Sequence, residues 1–288
     1  MPLKTRAVGV LPFLLLREAL TRSRAERTPE PMVMDEPDSV AQFHGTGEEG
    51  GLNTPVYELN ARGASRLTPA GGTLLDLGSG SGQYLAHLAR RRPDLRIVGI
   101  DLSEPMLATG REMLAREGLD GRVTLKRGDI TDLGALVPEA VDLVSCVFTL
   151  HHLPDEEALV ACLREIAGVR QRTGCAVLIF DFARLRHPRS YTTFFSLLPV
   201  QGPALTRDAI ASERAAFSVE ELRRELQKAG LADLRDACTR PFRTYQLRWS
   251  ARSTGAPEGH SSWIDVPMPK AARRDWKMLE STYRGLPA

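Results

Sequence analysis

The chain has 288 residues, of which 42% are hydrophobic and 26% are charged. This length and composition favour one large folded domain with appendages and exclude a chain that is disordered throughout. The formal net charge is only +2, so the sequence offers no strong electrostatic attraction for a polyanion such as nucleic acid.

The N-terminal segment carries a short apolar run over residues 8–16. The run is too short to span a bilayer, contains Pro12 and is followed by Arg17 and Glu18 without a small-residue cleavage site. We therefore expect a helix that packs on the protein or faces a partner, with no stable membrane insertion. Residues 24–51 are rich in charge, proline and glycine, which predicts a linker or mobile lid without regular structure.

A regular alternation of strands and helices follows the N-terminal segment, which we place at residues 1–70. The apolar patterns predict a helix at 55–67, strands at 73–77, 96–100, 123–126, 141–147 and 175–182, and helices at 82–91, 104–117 and 155–169. Continuous apolar strands separated by amphipathic helices indicate parallel pairing with helices on both faces. The predicted fold class is therefore α/β, with a doubly wound, Rossmann-like sheet.

The pattern changes after the fifth strand. Residues 183–216 form an insertion of aromatic, proline and charged residues, which we expect on the substrate side. Ser218 and Glu221 then form a capping box for a helix that closes at Gly230. Strands near 234–239 and 242–249 are so close together that they must form an antiparallel hairpin. The main domain is thus placed at 71–250, and the tail at 251–288 gives little information.

The four cysteines are widely spaced and form no CxxC pair. Three of them, Cys146, Cys162 and Cys175, lie in apolar surroundings. We interpret all four as reduced thiols and expect a cytoplasmic protein.

The most informative stretch is "LLDLGSGSGQY" at residues 74–84. A strand that ends in a glycine-rich turn and opens a helix lets backbone N–H groups approach a ligand closely. The third glycine of a dinucleotide fingerprint is replaced by Gln83, and the lysine of a P-loop is missing. Asp76 at the strand end would repel a pyrophosphate but attract an ammonium or sulfonium. The turn therefore predicts a ligand with positive charge.

The next two strand ends carry residues suited to a nucleoside. Asp101 lies about twenty residues beyond the glycines, where an acid can accept both hydroxyls of a ribose. Next to it, an apolar wall would come from Leu102 and Met106. One strand further, Gly128, Asp129 and Ile130 suit an adenine amino group and a flat apolar contact.

Four motifs in this order, "LLDLGSGSG", "VGIDLSEPML", "KRGDITDL" and "VDLVSCVFTLHHLPD", resemble those of the class I S-adenosylmethionine-dependent methyltransferases. The resemblance is strong over residues 73–182 and weaker over 217–249. It implies a seven-stranded sheet of order 3-2-1-4-5-7-6 with an antiparallel last strand. It also implies S-adenosylmethionine as methyl donor and S-adenosylhomocysteine as product.

The same resemblance assigns cofactor contacts to residues of this chain. Asp76 and the backbone of Gly78, Ser79 and Gly80 would hold the methionine part. Asp101 would hold the ribose, and Asp129 with Ile130 the adenine. The backbone of Cys146 and Val147 would pass along the methionine moiety.

Methyl transfer needs alignment and exclusion of water more than it needs a metal. A base is useful where the acceptor must lose a proton, and His151 and His152 follow the fourth strand. His152 falls where methyltransferases resembling the phosphoethanolamine N-methyltransferases carry a histidine that faces the acceptor. Alternatively, the pair only orients the cofactor or caps the next helix. We expect no metal site, because adjacent histidines point in different directions and no third ligand is evident.

Acceptor selection would come from the two additions around the core. Both carry aromatic residues that would either close an apolar pocket or merely pack the additions onto the core: Phe43, His44 and Tyr57 in the N-terminal segment, and Tyr191, Phe194 and Phe195 in the insertion. Tyr57 is predicted as a lid residue near the cofactor.

The expected acceptor is a small molecule, such as a secondary metabolite, or a peptide side chain, methylated on oxygen or nitrogen. The Asn/Asp-Pro-Pro-Tyr/Phe signature that holds a flipped base is absent, which argues against a nucleic-acid acceptor. Three alternatives stay open: a C-methyltransferase of quinone type, a non-catalytic cofactor-binding scaffold and, disfavoured by Gln83 and Asp76, a nucleotide-dependent oxidoreductase. A homodimer is compatible with the sequence.

Overall fold

A computed structural model describes residues 3–33, 35–48, 50–195, 203–240, 242–251 and 262–282. The described helices are α1 (Leu3–Leu20), α2 (Pro37–Gly47), α3 (Thr54–Leu67), α4 (Gln83–Arg91), α5 (Glu104–Arg116), α6 (Glu156–Thr173), α7 (Ser190–Phe195), α8 (Pro203–Ala215), α9 (Val219–Lys228) and α10 (Lys270–Thr282). The expectation of no regular element over 24–51 was wrong, since α2 lies there. It begins with Pro37, whose missing N–H is tolerated in a first helical turn.

The described strands form one sheet: β1 (Thr73–Leu77), β2 (Arg96–Asp101), β3 (Val123–Arg127), β4 (Leu143–Val147), β5 (Ala176–Phe182), β6 (Arg235–Cys238) and β7 (Tyr245–Trp249). Their order is β3-β2-β1-β4-β5-β7-β6. β1 to β5 pair in parallel, whereas β7 is antiparallel to β5 and to β6. The predicted fold class, strand order and terminal hairpin are therefore confirmed.

The apolar strands bury side chains on both faces of the sheet. Leu74 and Leu75 are adjacent in β1, and both are fully buried, but in separate core clusters. This separation follows from the pleat, because successive strand residues point to opposite faces. Burying one leucine side chain contributes about 1.5–3 kcal/mol, so a doubly covered sheet of this kind fixes the strand ends firmly. The carboxyl ends of β1 to β5 consequently meet at one rigid edge.

The tail contributes to the core through α10, which the sequence pattern did not predict. α10 packs against α3. The guanidinium of Arg62 on α3 lies over the rings of Trp263 and Trp276, 5.0 and 4.8 Å from their centroids. These cation–π contacts help to attach the C-terminal segment to the main domain.

The N-terminal segment is bound along the insertion and the end of β4. Ala25 N–H donates to the Arg186 carbonyl at 3.0 Å, and Thr28 N–H donates to the Arg214 carbonyl at 3.1 Å. Arg27 lies over the Phe217 ring, 4.0 Å from its centroid. Residues 25–30 are therefore held as an ordered strap that leads past the carboxyl edge of the sheet.

α1 has both buried and exposed apolar residues. Leu14 is buried, whereas Phe13 and Leu16 are exposed. Of the helices in the described ranges, none has the length and apolar content required to cross a membrane. The four cysteines are all described and are free thiols in the structure.

Candidate functional site

The turn between β1 and α4 has a backbone that demands glycine. Gly78 has φ +75°, and a Cβ atom there would lie 2.0 Å from the Thr149 side chain. The N–H groups of Gly78 and Ser79 donate to the Ile100 carbonyl at 2.8 and 3.0 Å. The turn is thereby fixed against β2 and leaves a backbone cradle at the carboxyl edge of the sheet.

Asp101 at the end of β2 faces this turn. Its Oδ2 accepts the Gly80 N–H at 2.7 Å, and its Oδ1 accepts the Ser103 N–H at 2.9 Å. Burial raises the pKa of Asp101, although these backbone donors oppose the shift. The carboxylate therefore both shapes the turn and presents its oxygens to the space beside it.

That space is a cavity between the carboxyl edge of the sheet and the N-terminal segment. Its lining consists of Met32, Phe43, Gly78, Gly80, Asp101, Leu102, Ser103, Met106, Asp129, Ile130, Phe148, Thr149, His152 and Leu153. No lysine or arginine occurs in this lining, as far as the structure describes it. Two carboxylates, apolar side chains and glycine backbone suit a nucleoside without phosphates, so the donor set fits S-adenosylmethionine better than a dinucleotide.

Eight of the predicted site residues line this cavity: Gly78, Gly80, Asp101, Leu102, Met106, Asp129, Ile130 and His152. Asp129 Oδ1 also accepts the Thr131 N–H at 2.8 Å, so it forms a turn as well. The other predicted residues, Tyr57, Asp76, Ser79, Gly128, Cys146, Val147 and His151, are not part of the lining.

Asp76 and Tyr57 lie in the interior. Ser145 Oγ donates to Asp76 Oδ1 at 2.5 Å, and burial raises the pKa of Asp76 to about 8. Tyr57 is only 4% exposed and packs on Tyr84, with ring centroids 6.0 Å apart. Tyr57 lies on α3, which packs against α4 and β5, and it is not part of the cavity lining, so its role as a lid residue stays a prediction.

Several lining residues were not predicted as cofactor contacts. Phe148 directly follows β4 and has φ +56°, which is uncommon outside glycine. Its ring stacks on Phe182 at 4.8 Å, and its N–H donates to the Phe180 carbonyl at 2.8 Å. These contacts hold Phe148 in its conformation and make an aromatic wall. The only sequence signal was its position directly after the fourth strand.

The N-terminal segment closes over the cofactor end of the cavity. Ser103 Oγ donates to Asp35 Oδ1 at 2.8 Å, and His44 Nδ1 lies 2.9 Å from Ser81 Oγ. Phe43 and Met32 complete the wall on this side. In the insertion, Tyr191 is buried and packs on Phe182, 6.5 Å between centroids, which agrees with a packing role. The side chains of Phe194 and Phe195 lie outside the described part of the chain.

Both histidines border another part of the cavity: His152 lines it, and buried His151 packs beside His152. Asp181 Oδ1 accepts His151 Nδ1–H at 2.6 Å, and Asp181 Oδ2 accepts the His151 backbone N–H at 3.0 Å. Burial opposes protonation of His151, but Asp181 and Glu30 outweigh it and raise its pKa. Burial and the neighbouring His151 lower the pKa of His152 to about 3, so His152 is neutral at pH 7.

Glu30, from the N-terminal strap, lies beside both histidines. Its Oε2 lies 3.9 Å from His151 Nε2 and 3.7 Å from His152 Nδ1. The two histidine rings are only 4.2 Å apart, and all three side chains offer ligand atoms within 4.8 Å of one another. The expectation that these histidines diverge without a third ligand was therefore wrong. They lie in one 3₁₀ turn, Leu150–His152, against which the strap packs Glu30.

Comparison with known proteins agrees with this geometry. Residues 74–174 match the family described as a methyltransferase domain. The chain is 30% identical over 201 residues to the demethylmenaquinone methyltransferase of Roseiflexus sp. strain RS-1, covering 66% of this chain and 78% of that protein. It is 32% identical over 127 residues to a phosphatidylethanolamine N-methyltransferase of Cereibacter sphaeroides, covering 44% of this chain and 59% of that protein.

A solved structure supports the fold in the same way. A SAM-dependent methyltransferase from Aquifex aeolicus matches with a TM-score of 0.52 and 17% identity. The match covers 75% of this chain and 98% of that one. At this identity, the likeness supports the fold alone.

Proposed function

The chain belongs to the class I S-adenosylmethionine-dependent methyltransferases, and from that premise we propose that it methylates an oxygen or nitrogen atom of a small molecule. The acceptor class we propose is a secondary metabolite or a side chain of a natural-product peptide. One observation carries the proposal: His152 lines the same cavity as Asp101 and Asp129. A neutral histidine thus lies in one space with the groups suited to the nucleoside.

The cofactor contacts are proposed from the cavity lining and the family motifs. Asp101 would accept the ribose hydroxyls, and Asp129 with Ile130 would hold the adenine. The backbone from Gly78 through Ser79 to Gly80 would approach the methionine part. Burial raises the pKa of Asp76 to about 8 in the ligand-free protein, and a bound cationic ligand would favour its ionised form. The Cys146 and Val147 backbone is assigned to the same moiety by resemblance, although neither residue is part of the described lining.

When bound, S-adenosylmethionine supplies a methyl group activated by its sulfonium sulfur. The chain has to align the acceptor with that methyl group and exclude water. Phe148 and Leu153 provide apolar walls for this purpose. Because the pKa of His152 is lowered to about 3, it would take the proton of a hydroxyl acceptor as the new bond to carbon forms, when that proton becomes strongly acidic. The bond from His151 to Asp181 fixes the neighbouring ring.

A second candidate function is methylation of a ring carbon beside the hydroxyl of a quinol. The sequence similarity to a demethylmenaquinone methyltransferase, over 78% of that protein, favours it. The requirement on the site is similar, because loss of the hydroxyl proton activates the neighbouring carbon as a nucleophile. The bonded atom in the product distinguishes the two candidates.

The test is transfer of isotope-labelled methyl from S-adenosylmethionine to a panel of acceptors. The panel contains catechols, aromatic amines, a serine- or cysteine-containing peptide and a naphthohydroquinone, and NMR of the product identifies the methylated atom. Methyl on oxygen or nitrogen supports the first proposal, methyl on carbon supports the second, and transfer to none of these classes contradicts both.

His152→Ala tests the residue that carries the proposal. We expect kcat to fall about a hundredfold, with the affinity for S-adenosylhomocysteine nearly unchanged. His187→Ala is the matched control, because His187 is not part of the cavity lining. An unchanged kcat in His152→Ala would remove this histidine from the mechanism.

A further inference from the structure

Where His152 lines the cavity, three neighbouring side chains offer ligand atoms within 4.8 Å of one another. We propose that Glu30, His151 and His152 bind one divalent transition-metal ion, such as Zn²⁺, beside the acceptor. The proposal rests on the proposed function only for the position of the acceptor. The ligand set itself is argued from the side chains that the structure describes.

The hydrogen bonds of the two histidines leave one nitrogen of each ring available. The N–H at Nδ1 of His151 is used by Asp181, so neutral His151 presents the lone pair of Nε2 towards Glu30. His152 forms a hydrogen bond with the backbone of Pro31. Proline has no backbone N–H, so its carbonyl is the acceptor and His152 is the donor. That bond uses the single N–H of a neutral ring, and the other nitrogen of His152 keeps a lone pair.

The distances suit a shared ion better than direct hydrogen bonds. Glu30 Oε2 is 3.9 Å from His151 Nε2 and 3.7 Å from His152 Nδ1, beyond hydrogen-bond reach in both cases. Ligand atoms of a tetrahedral zinc site, with bonds of about 2.1 Å, lie about 3.4 Å apart. Each of these two distances would need to shorten by only a few tenths of an ångström, and the ligand atoms of the two histidines lie within 4.8 Å of each other.

The surroundings also have the character of a metal site. Asp181 orients His151, and Ser212 Oγ donates to Glu30 at 3.2 Å, so two ligands have outer partners. Asp208 on α8 adds negative charge near Glu30 and His151. Arg27 is a nearby cation, and its guanidinium donates to the carbonyls of His151 and Leu153. Two histidines and a carboxylate are ligands that zinc and iron accept.

Three protein ligands leave a fourth position for the acceptor, since His152 also lines the cavity. A hydroxyl bound there would lose its proton to solvent more readily. Its oxygen would then form the new bond to carbon as the bond from carbon to sulfur breaks, releasing S-adenosylhomocysteine. In this state the bound ion, and not free His152, activates the acceptor.

The experiment titrates the full-length protein, stripped with EDTA, with Co²⁺ by visible absorption and with Zn²⁺ by calorimetry. We expect a single strong site whose Co²⁺ spectrum indicates nitrogen and oxygen ligands. Glu30→Gln should weaken the affinity about tenfold or more, and Asp181→Asn should weaken it about 10–100-fold by freeing His151. Glu26→Gln is the matched control, because Glu26 is an exposed acid of the same segment.

Two results would overturn the inference: no strong site in the wild type, or equal affinity in the wild type and Glu30→Gln. Ser212→Ala is the second variant if Glu30→Gln does not fold, with a smaller expected loss of affinity. S-adenosylhomocysteine affinity and methyl transfer are measured on the same stripped protein. If the protein transfers methyl groups but binds no metal, only this inference is overturned. If it binds metal but transfers methyl groups to no acceptor, only the proposed function is overturned.

Discussion

The two ends of the cavity are assembled from the chain in different ways. At the cofactor end, Gly78, Asp101 and Asp129 lie at the carboxyl ends of three strands that are consecutive in sequence and adjacent in the sheet. At the acceptor end, Glu30 meets Ser212 across a separation of 182 residues. The first end is set by local motifs on a rigid edge, while the second depends on how the N-terminal strap and the insertion dock. The difference predicts that the two ends respond separately to mutation.

Gly78→Ala is the substitution expected to impair the cofactor end most. The added Cβ would lie 2.0 Å from the Thr149 side chain at a φ of +75°. We expect S-adenosylhomocysteine affinity to fall by about a thousandfold, because strain and overlap together distort the turn. Calorimetry measures the affinity. Gly118→Ala is the matched control, because Gly118 has φ +66° but no atom within 4 Å of its added Cβ; equal losses in both variants would contradict the account.

Asp101→Asn removes a charge from the same end with little change in shape. The amide no longer accepts both backbone N–H groups and the ribose hydroxyls equally well. We expect a loss of about 1–3 kcal/mol in cofactor binding, which corresponds to about 5–150-fold in Kd. Asp120→Asn, at an exposed turn, is the control. An unchanged Kd for Asp101→Asn would mean that the ribose is bound elsewhere.

The buried Asp76 predicts a pH effect on the ligand-free protein. Burial raises its pKa from 3.8 to about 8, so its contribution to stability is present below pH 3.8 and is lost as pH rises towards 8. Asp76→Asn keeps a neutral side chain. Between pH 6 and 7 we expect the variant to gain up to about 1.4 kcal/mol on the wild type. Urea unfolding of both proteins at pH 6 and 7 measures this difference. If the free energy of unfolding changes equally in the wild type and the variant between these pH values, Asp76 does not titrate as described.

Ser212→Ala probes the acceptor end with the smallest expected effect. The variant frees Glu30 from one hydrogen bond, worth about 1 kcal/mol. We expect turnover to fall about fivefold, while S-adenosylhomocysteine affinity is unchanged because Ser212 is remote from the glycine turn. Ser281→Ala, on α10, is the control. A loss of cofactor affinity in Ser212→Ala would show that the two ends are coupled.

The sheet and the cofactor end were predictable because their signals are local. Each strand end carries its chemistry within a few residues, as with Asp76 just before Gly78 and Asp101 as the last residue of β2. The predicted strands agree with the structure to within three residues, a usual margin for element boundaries. Neither observation requires knowledge of which segments touch across the fold.

The acceptor end was not predictable because its contacts are nonlocal. Glu30 lies in a stretch of charge and proline that indicates a loop, and only docking of the strap brings it to the histidines. The sequence carries only a weak indication that the tail packs on the domain. The tail contains two tryptophans, Trp263 and Trp276, whose large apolar side chains are unfavourable in an unpacked segment. Phe148 had no signal beyond its position directly after the fourth strand, since its unusual φ depends on stacking against Phe182.

The most direct test of the central claim is a crystal structure of the protein with S-adenosylhomocysteine. The account predicts both ribose hydroxyls within hydrogen-bond distance of the Asp101 carboxylate, and the adenine beside Asp129 and Ile130. It also predicts the homocysteine sulfur pointing along the cavity towards His152. Ribose hydroxyls bound away from Asp101, or a sulfur turned away from His152, would contradict it.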